Sequence, residues 1–167
     1  MTNKTEKENK IPKIKVVWAL LCRNASVDQA SNMVSLFNIL DELTLSKTPP
    51  TNNGVHSSKL EDFSQRTKVN TDFTLAVQFE RDNMENVNGF EPKINVKIID
   101  PAGEILADNE LPIMFENDKK RMRAIINFDG ILLTKSGNYT YIVATKSTKD
   151  EKFKEQSKTT IDIKIFA

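Results

Sequence analysis

The chain is poor in the side chains that do chemistry. Its 167 residues include one cysteine, Cys22, and one histidine, His56. A lone cysteine rules out an internal disulfide framework, and its place in the apolar run VVWALLC marks a buried, inert thiol. One Cys and one His cannot build a Cys/His zinc site, which needs several ligands at set spacing. Nor do they make a nucleophile and base, because His56 lies in an irregular stretch far along the chain and reads as an exposed loop residue. The five glycines, at 54, 89, 103, 130 and 137, form no phosphate-cradling loop. Charge of one sign is lacking too. With 24 basic and 23 acidic side chains, the net charge of +1 sets up no field for nucleic acid or an anionic membrane. No apolar run nears the roughly 18 residues that span a bilayer, and the opening MTNKTEKENK has charges where a secretory signal is apolar. These absences predict a non-enzymatic cytoplasmic protein with no catalytic residue, metal or cofactor. The glycosylation-like triplets at Asn3, Asn24 and Asn138 then read as chance matches.

What is present is a period of two. Phe73, Leu75, Val77 and Phe79 alternate with Thr74, Ala76, Gln78 and Glu80, the pattern of a strand with one wet face. Ile94, Val96 and Ile98 repeat it. So do Leu111, Ile113 and Phe115; Met122, Ala124, Ile126 and Phe128; Tyr139, Tyr141 and Val143; and Ile161, Ile163 and Ile165. Asp100-Pro101-Ala102-Gly103 has Pro and Gly where a type I turn wants them, so Ile94–Asp100 should fold back onto Glu104–Ala107. The pattern predicts an all-β chain, an antiparallel sandwich of about eight strands in one domain over residues 13–167. Residues 1–12 read as a disordered tail. Residues 44–71, with Pro49, Pro50 and Gly54, read as a long irregular loop in which Ser58 and Glu61 suit the cap of a short helix.

One segment has a helical competitor. In SVDQASNMVSLFNILDEL, Ser26 and Gln29 fit a capping box, and Ala30, Met33, Phe37 and Leu40 fall at helical spacing. Strand, turn, strand is favoured, because Val34, Leu36, Phe37 and Ile39 are rich in β-formers and VDQASN is turn-like.

The stretch LTKSGNYTYIV places Gly137, Tyr139 and Tyr141 at alternating positions, which resembles the tyrosine corner of immunoglobulin-like domains. It departs from antibody domains in having Lys135 where Asp is usual and Tyr141 where the disulfide Cys stands. The resemblance implies a generic Ig-like β-sandwich without a disulfide. The wider pattern of ALLCRNASVDQASNMVSLFNILDEL, TLAVQF, KIIDPAG and SGNYTYIV is similar to a family of small bacterial proteins of unknown function, from Val16 onward. That likeness implies two strands joined by a polar turn in the first segment, and transfers no active site.

Two charged features invite a functional reading. Asp72, Asp82, Asp100, Asp108 and Asp118 lie near expected turns, but no DxDxDG cluster accompanies them, so they read as turn residues. The basic run Lys119, Lys120, Arg121, Arg123 follows Glu116 and Asp118 and has no interleaved aromatics, which favours a solvated edge over a nucleic-acid surface.

The first hairpin is apolar on both faces. Strict alternation puts Ile14, Val16, Trp18, Leu20 and Cys22 on one side and Val17, Ala19 and Leu21 on the other. In the second strand it sets Met33, Phe37 and Ile39 against Val34, Leu36 and Leu40. Since a sandwich strand needs one apolar face only, Val17, Ala19, Leu21, Val34, Leu36 and Leu40 form a candidate outward surface. Two covers fit it: residues 44–71 with Leu60 and Phe63 as anchors, or another protein, most simply a second copy. The expected function is a protein-binding or assembly module. A small-molecule or carbohydrate site at the loop end near His56 is the alternative.

Overall fold

The computed structural model describes residues 10–28, 33–46, 66–84, 88–116 and 118–166. Eleven strands make up its regular structure: β1 Ile14–Val27, β2 Val34–Ile39, β3 Glu42–Ser46, β4 Thr67–Val69, β5 Phe73–Arg81, β6 Lys93–Ile99, β7 Ile105–Pro112, β8 Arg121–Phe128, β9 Ile131–Leu133, β10 Gly137–Lys146 and β11 Lys154–Phe166. They form a four-stranded sheet in the order β2-β1-β5-β8, a five-stranded sheet in the order β3-β11-β10-β6-β7, and a two-stranded ribbon of β4 and β9. Every ladder is antiparallel except β3 with β11, which is parallel. The two large sheets enclose one core, into which Leu21, Leu75, Val77 and Phe79 project from the first and Ile94, Tyr141, Val143 and Ile163 from the second.

The all-β, Ig-like sandwich is the expected fold. No helix forms among the described residues of Ser26–Leu43: β1 and β2 pair from Cys22 with Ile39 to Val27 with Val34, and the Asp28 amide donates to the Met33 carbonyl at 2.9 Å. Three expectations need correction. Residues 44–71 are not wholly irregular, since Thr44–Ser46 belong to β3 and Thr67–Val69 are β4. Their partners β11 and β9 lie far along the chain, where local periodicity carries no signal. Ile113 and Phe115 do not continue a strand, because β7 ends at Pro112, though Ile113 is still buried and bonds the Pro92 carbonyl at 2.9 Å. Pro12, placed in the tail, is buried. His56, Leu60, Phe63 and the Ser58 cap lie outside the described residues.

The tyrosine corner is built as the motif implies. The Tyr139 hydroxyl donates to the Lys135 carbonyl at 2.8 Å and accepts from the Thr134 amide at 2.9 Å. Lys135 replaces the usual Asp, and a carboxylate arrives from the β6–β7 turn in its stead. Asp100 accepts the Thr134 hydroxyl on Oδ2 and the amides of Ala102 and Glu104 on Oδ1, all at 2.8 Å. Burial pushes the Asp100 carboxyl up, but its bonds from Thr134, Glu104 and Ala102 outweigh that and hold it below the usual carboxylate range. The expected turn is closed by the Gly103 amide on the Asp100 carbonyl, 3.0 Å.

Tyr141, one alternation along, is as deeply buried, yet its hydroxyl has no hydrogen-bond partner among the described residues. The two tyrosines therefore predict opposite outcomes. Tyr139→Phe strands buried backbone groups and should cost about 1–3 kcal/mol in urea unfolding. Tyr141→Phe removes an unpaired polar atom and should leave the midpoint unchanged or raise it.

Candidate protein contact surface

The register of the first sheet builds its outer face row by row. Between Val16 and Trp18 the pairing of β1 with β5 shifts by one residue, a β-bulge. Before it, Ile14 and Val16 face the core; after it, Ala19 and Leu21 do. Trp18, Leu20 and Cys22 are thereby turned outward. A one-residue slip exchanges faces in this way because the side-chain period is two.

Across β1, β5 and β8, the ladder then sets Lys15, Glu80 and Arg121 in one row, with Trp18, Gln78 and Arg123 in the next. Leu20, Ala76 and Ile125 follow, then Cys22, Thr74 and Asn127, with Ile39 of β2 beside Cys22 and Phe37 beside Asn24. The face runs from a charged end around Glu80 to an end that is apolar on the β2 side and polar where Thr74 and Asn127 stand. At the apolar end Phe37 is 52% exposed, Ile39 57% and Met33, just before β2, 66%. The expected wet face of β5 is absent: Thr74, Ala76, Gln78 and Glu80 are all buried, flanked by larger side chains of β1 and β8.

The hairpin is double-faced as expected, but the residues assigned to its outward side are corrected. Ala19 and Leu21 are 7% and 1% exposed and belong to the core. Leu40 packs against that core, and Val34 and Leu36 are half-buried on the same side, opposite Val27 and Ala25. Of the six, Val17 alone is exposed, because it is the extra residue of the bulge. Strict alternation could not place the bulge, since VVWALLC is apolar in either phase.

The second sheet's outer face differs in kind. Lys97 meets Asp108 at 3.5 Å, Lys93 meets Glu110 at 3.7 Å and Lys164 meets Glu42 at 2.6 Å, so charges of both signs stand interspersed in water.

The basic run stays at the surface but is ion-paired rather than free. Glu80 gathers Arg121 at 2.6 Å, Lys15 at 3.1 Å and Lys120 at 3.5 Å, and Lys119 meets Asp118 at 3.6 Å. Arg81 is fully buried and holds the β7–β8 connection through the Lys119 and Glu116 carbonyls, each at 3.0 Å. Of the carboxylates predicted as turn residues, Asp100 binds its own turn, Asp82 instead accepts the distant Lys13 amide at 2.8 Å, and Asp108 lies within β7. Among the described residues no group of three or more metal-ligating side chains occurs.

No family model matches the chain, and no curated protein matches it. Among solved structures it is similar to an immunoglobulin-like protein from Pseudomonas aeruginosa, at 7% identity and a TM-score of 0.36, over 92% of this chain and 98% of that chain. The sandwich assignment rests on the sheets and the tyrosine corner themselves.

A second feature escaped the sequence. Where β1 runs past the start of β5, a cleft of about 420 Å³ opens, lined by Arg23, Asn24, Asp72, Thr74, Asn127 and Asp129 over Phe73 and Phe128. Arg23 is held there by the Thr71 hydroxyl at 2.7 Å and the Asp72 carbonyl at 3.2 Å, and Thr74 donates to Asn127 Oδ1 at 3.0 Å. These residues come from β1, from β5 with the residue before it and from β8 with the residue after it, and share no local motif. Asn24 of the sequon also lies in this cleft.

Glu80 gives the face a measurable pH signature. Hydrogen bonds from Arg121 and then Lys15, with the charge of Lys120, hold its carboxyl down at about 2 against an ordinary 4.5. The unfolded chain takes up the proton first as pH falls, so the stabilisation is complete above about 4.5 and is lost as pH drops toward about 2. Glu80→Gln should flatten the wild-type rise in stability between those values, measured by urea unfolding across the window.

Proposed function

We propose that this chain is a non-catalytic cytoplasmic β-sandwich whose work is to bind protein, with the apolar end of the first sheet's outer face as the contact surface. One observation carries the reading: Phe37 and Ile39 stand largely in water beside Asn24 and Cys22, with Leu20, Ala76 and Ile125 forming the next row, on a sheet whose counterpart is covered in paired charges. Aromatic and aliphatic anchors ringed by polar side chains are the composition of protein interfaces, and monomers seldom expose such patches without use. Asn127 and Arg123 supply a polar rim here. Neither nucleic acid nor membrane is proposed as a partner, since the basic run serves Glu80. The resemblance of the sequence to small bacterial proteins of unknown function would suit a bacterial adaptor or subunit.

A photo-crosslinking amino acid at position 37, used in living cells, tests this. It should give a discrete protein adduct that Ile39→Lys abolishes, whereas the same group at Thr160 on the ion-paired face should give none. Absence of any adduct at 37 would end the reading.

The cleft favours a second reading, a site for a small polar ligand such as a saccharide, since its volume falls in the ligand-pocket range of roughly 300–1,000 Å³ and amide, carboxylate and guanidinium groups converge there. Titration with a panel of neutral saccharides should shift the side-chain amide resonances of Asn24 and Asn127. If none moves them at millimolar concentration, the cleft is no saccharide site.

A further inference from the structure

A sheet edge offers a row of backbone donors and acceptors to any passing strand, and folded proteins blunt such edges with charge, proline or shortness. The two large sheets have four edges. β8 carries Arg121 and Arg123; β7 carries Asp108, Glu110 and Pro112; β3 has five residues, with Glu42 ion-paired to Lys164. β2, VSLFNI, has neither charge nor proline. Among the described residues it is the unguarded edge, and it carries the exposed Phe37 and Ile39.

We propose that β2 pairs antiparallel with β2 of a second copy about a two-fold axis through Ser35, joining two four-stranded sheets into one of eight. This rests on reading the outer face as a protein contact surface, and it names the occupant. The strand's own order argues for a copy. With Ser35 opposite Ser35, Val34 faces Leu36 of the second copy on the core side, and Met33 faces its Phe37 on the outer side; each pair recurs reciprocally across the axis. Apolar thus meets apolar on both faces, the cross-strand pairing that stabilises sheets. Asn38, with φ of 52°, is the one non-glycine residue of positive φ among those described, a local irregularity just beyond the Met33–Phe37 segment that the two copies would pair. A net charge of +1 sets up little repulsion between copies. The far edges of the joined sheet are β8, with its arginines, so assembly closes at two.

Ser35→Cys tests the register. Residues directly opposed in an antiparallel pair have Cα atoms about 4.5–5.5 Å apart, within disulfide reach, and native Cys22 is buried and cannot compete. Mild oxidation should convert Ser35→Cys to a covalent dimer, while Thr160→Cys stays monomeric. The wild type should sediment as a dimer, and Phe37→Lys should weaken association by at least about tenfold. A wild type that sediments as a monomer at about 1 mM, with Ser35→Cys no faster to crosslink than Thr160→Cys, overturns the two-fold pairing. A position-37 adduct with a different protein would then leave the contact surface standing without it.

Discussion

One extra residue between Val16 and Trp18 decides which side chains this sandwich buries. Had β1 continued in its opening phase, Trp18, Leu20 and Cys22 would have gone to the core and Ala19 and Leu21 to the outside. The bulge reverses that. The wider Trp18 goes to the outer face, where it flanks Gln78, and the smaller Ala19 goes beneath the second sheet, where the Ala19 carbonyl accepts the Thr159 hydroxyl at 2.9 Å. A close approach of β1 to β11 needs a small side chain at that place. The outer apolar rows, the burial of β5 on both faces and the exposure of Val17 all follow from this shift.

The two outer faces show how one fold divides its surface. Long charged side chains on β6, β7 and β11 pair across strands at 2.6–3.7 Å and keep that side soluble. Such exposed pairs contribute little stability, so their value lies in wetting the face. On the other sheet ion pairs gather at one end around Glu80, and the β2 corner of the opposite end is apolar. That polarity along one sheet, rather than the whole-molecule balance of 24 and 23, is the electrostatic organisation of the protein.

Much of the fold was legible because it is written locally. Alternation in Ile94–Ile98 and Ile161–Ile165, the Asp100–Gly103 turn and the Gly137/Tyr139/Tyr141 corner each depend on residues within a few positions of one another. What escaped was set by distance or by ambiguity. Among the described residues β3 pairs only with β11, and β4 only with β9. Asp100 is a turn residue by sequence, and becomes the acceptor that ties two turns together only when Thr134 arrives from 34 positions away. The outward surface was legible in kind, since the hairpin is greasy on both sides, but not by residue, since an apolar run conceals the phase of its own alternation.

The parallel pairing of β3 with β11 bears on how the chain is made. Glu42 and its partner Lys164 are 122 residues apart, and β11 also supplies one of the two neighbours of β10. A ribosome must therefore pass Phe166 before the larger sheet has its inner members, while the early strands wait with open edges. Such long-range topology slows folding and exposes nascent strands to wrong partners. An uncharged segment such as VSLFNI, translated early, is the part of the newborn chain most in need of a chaperone's shelter.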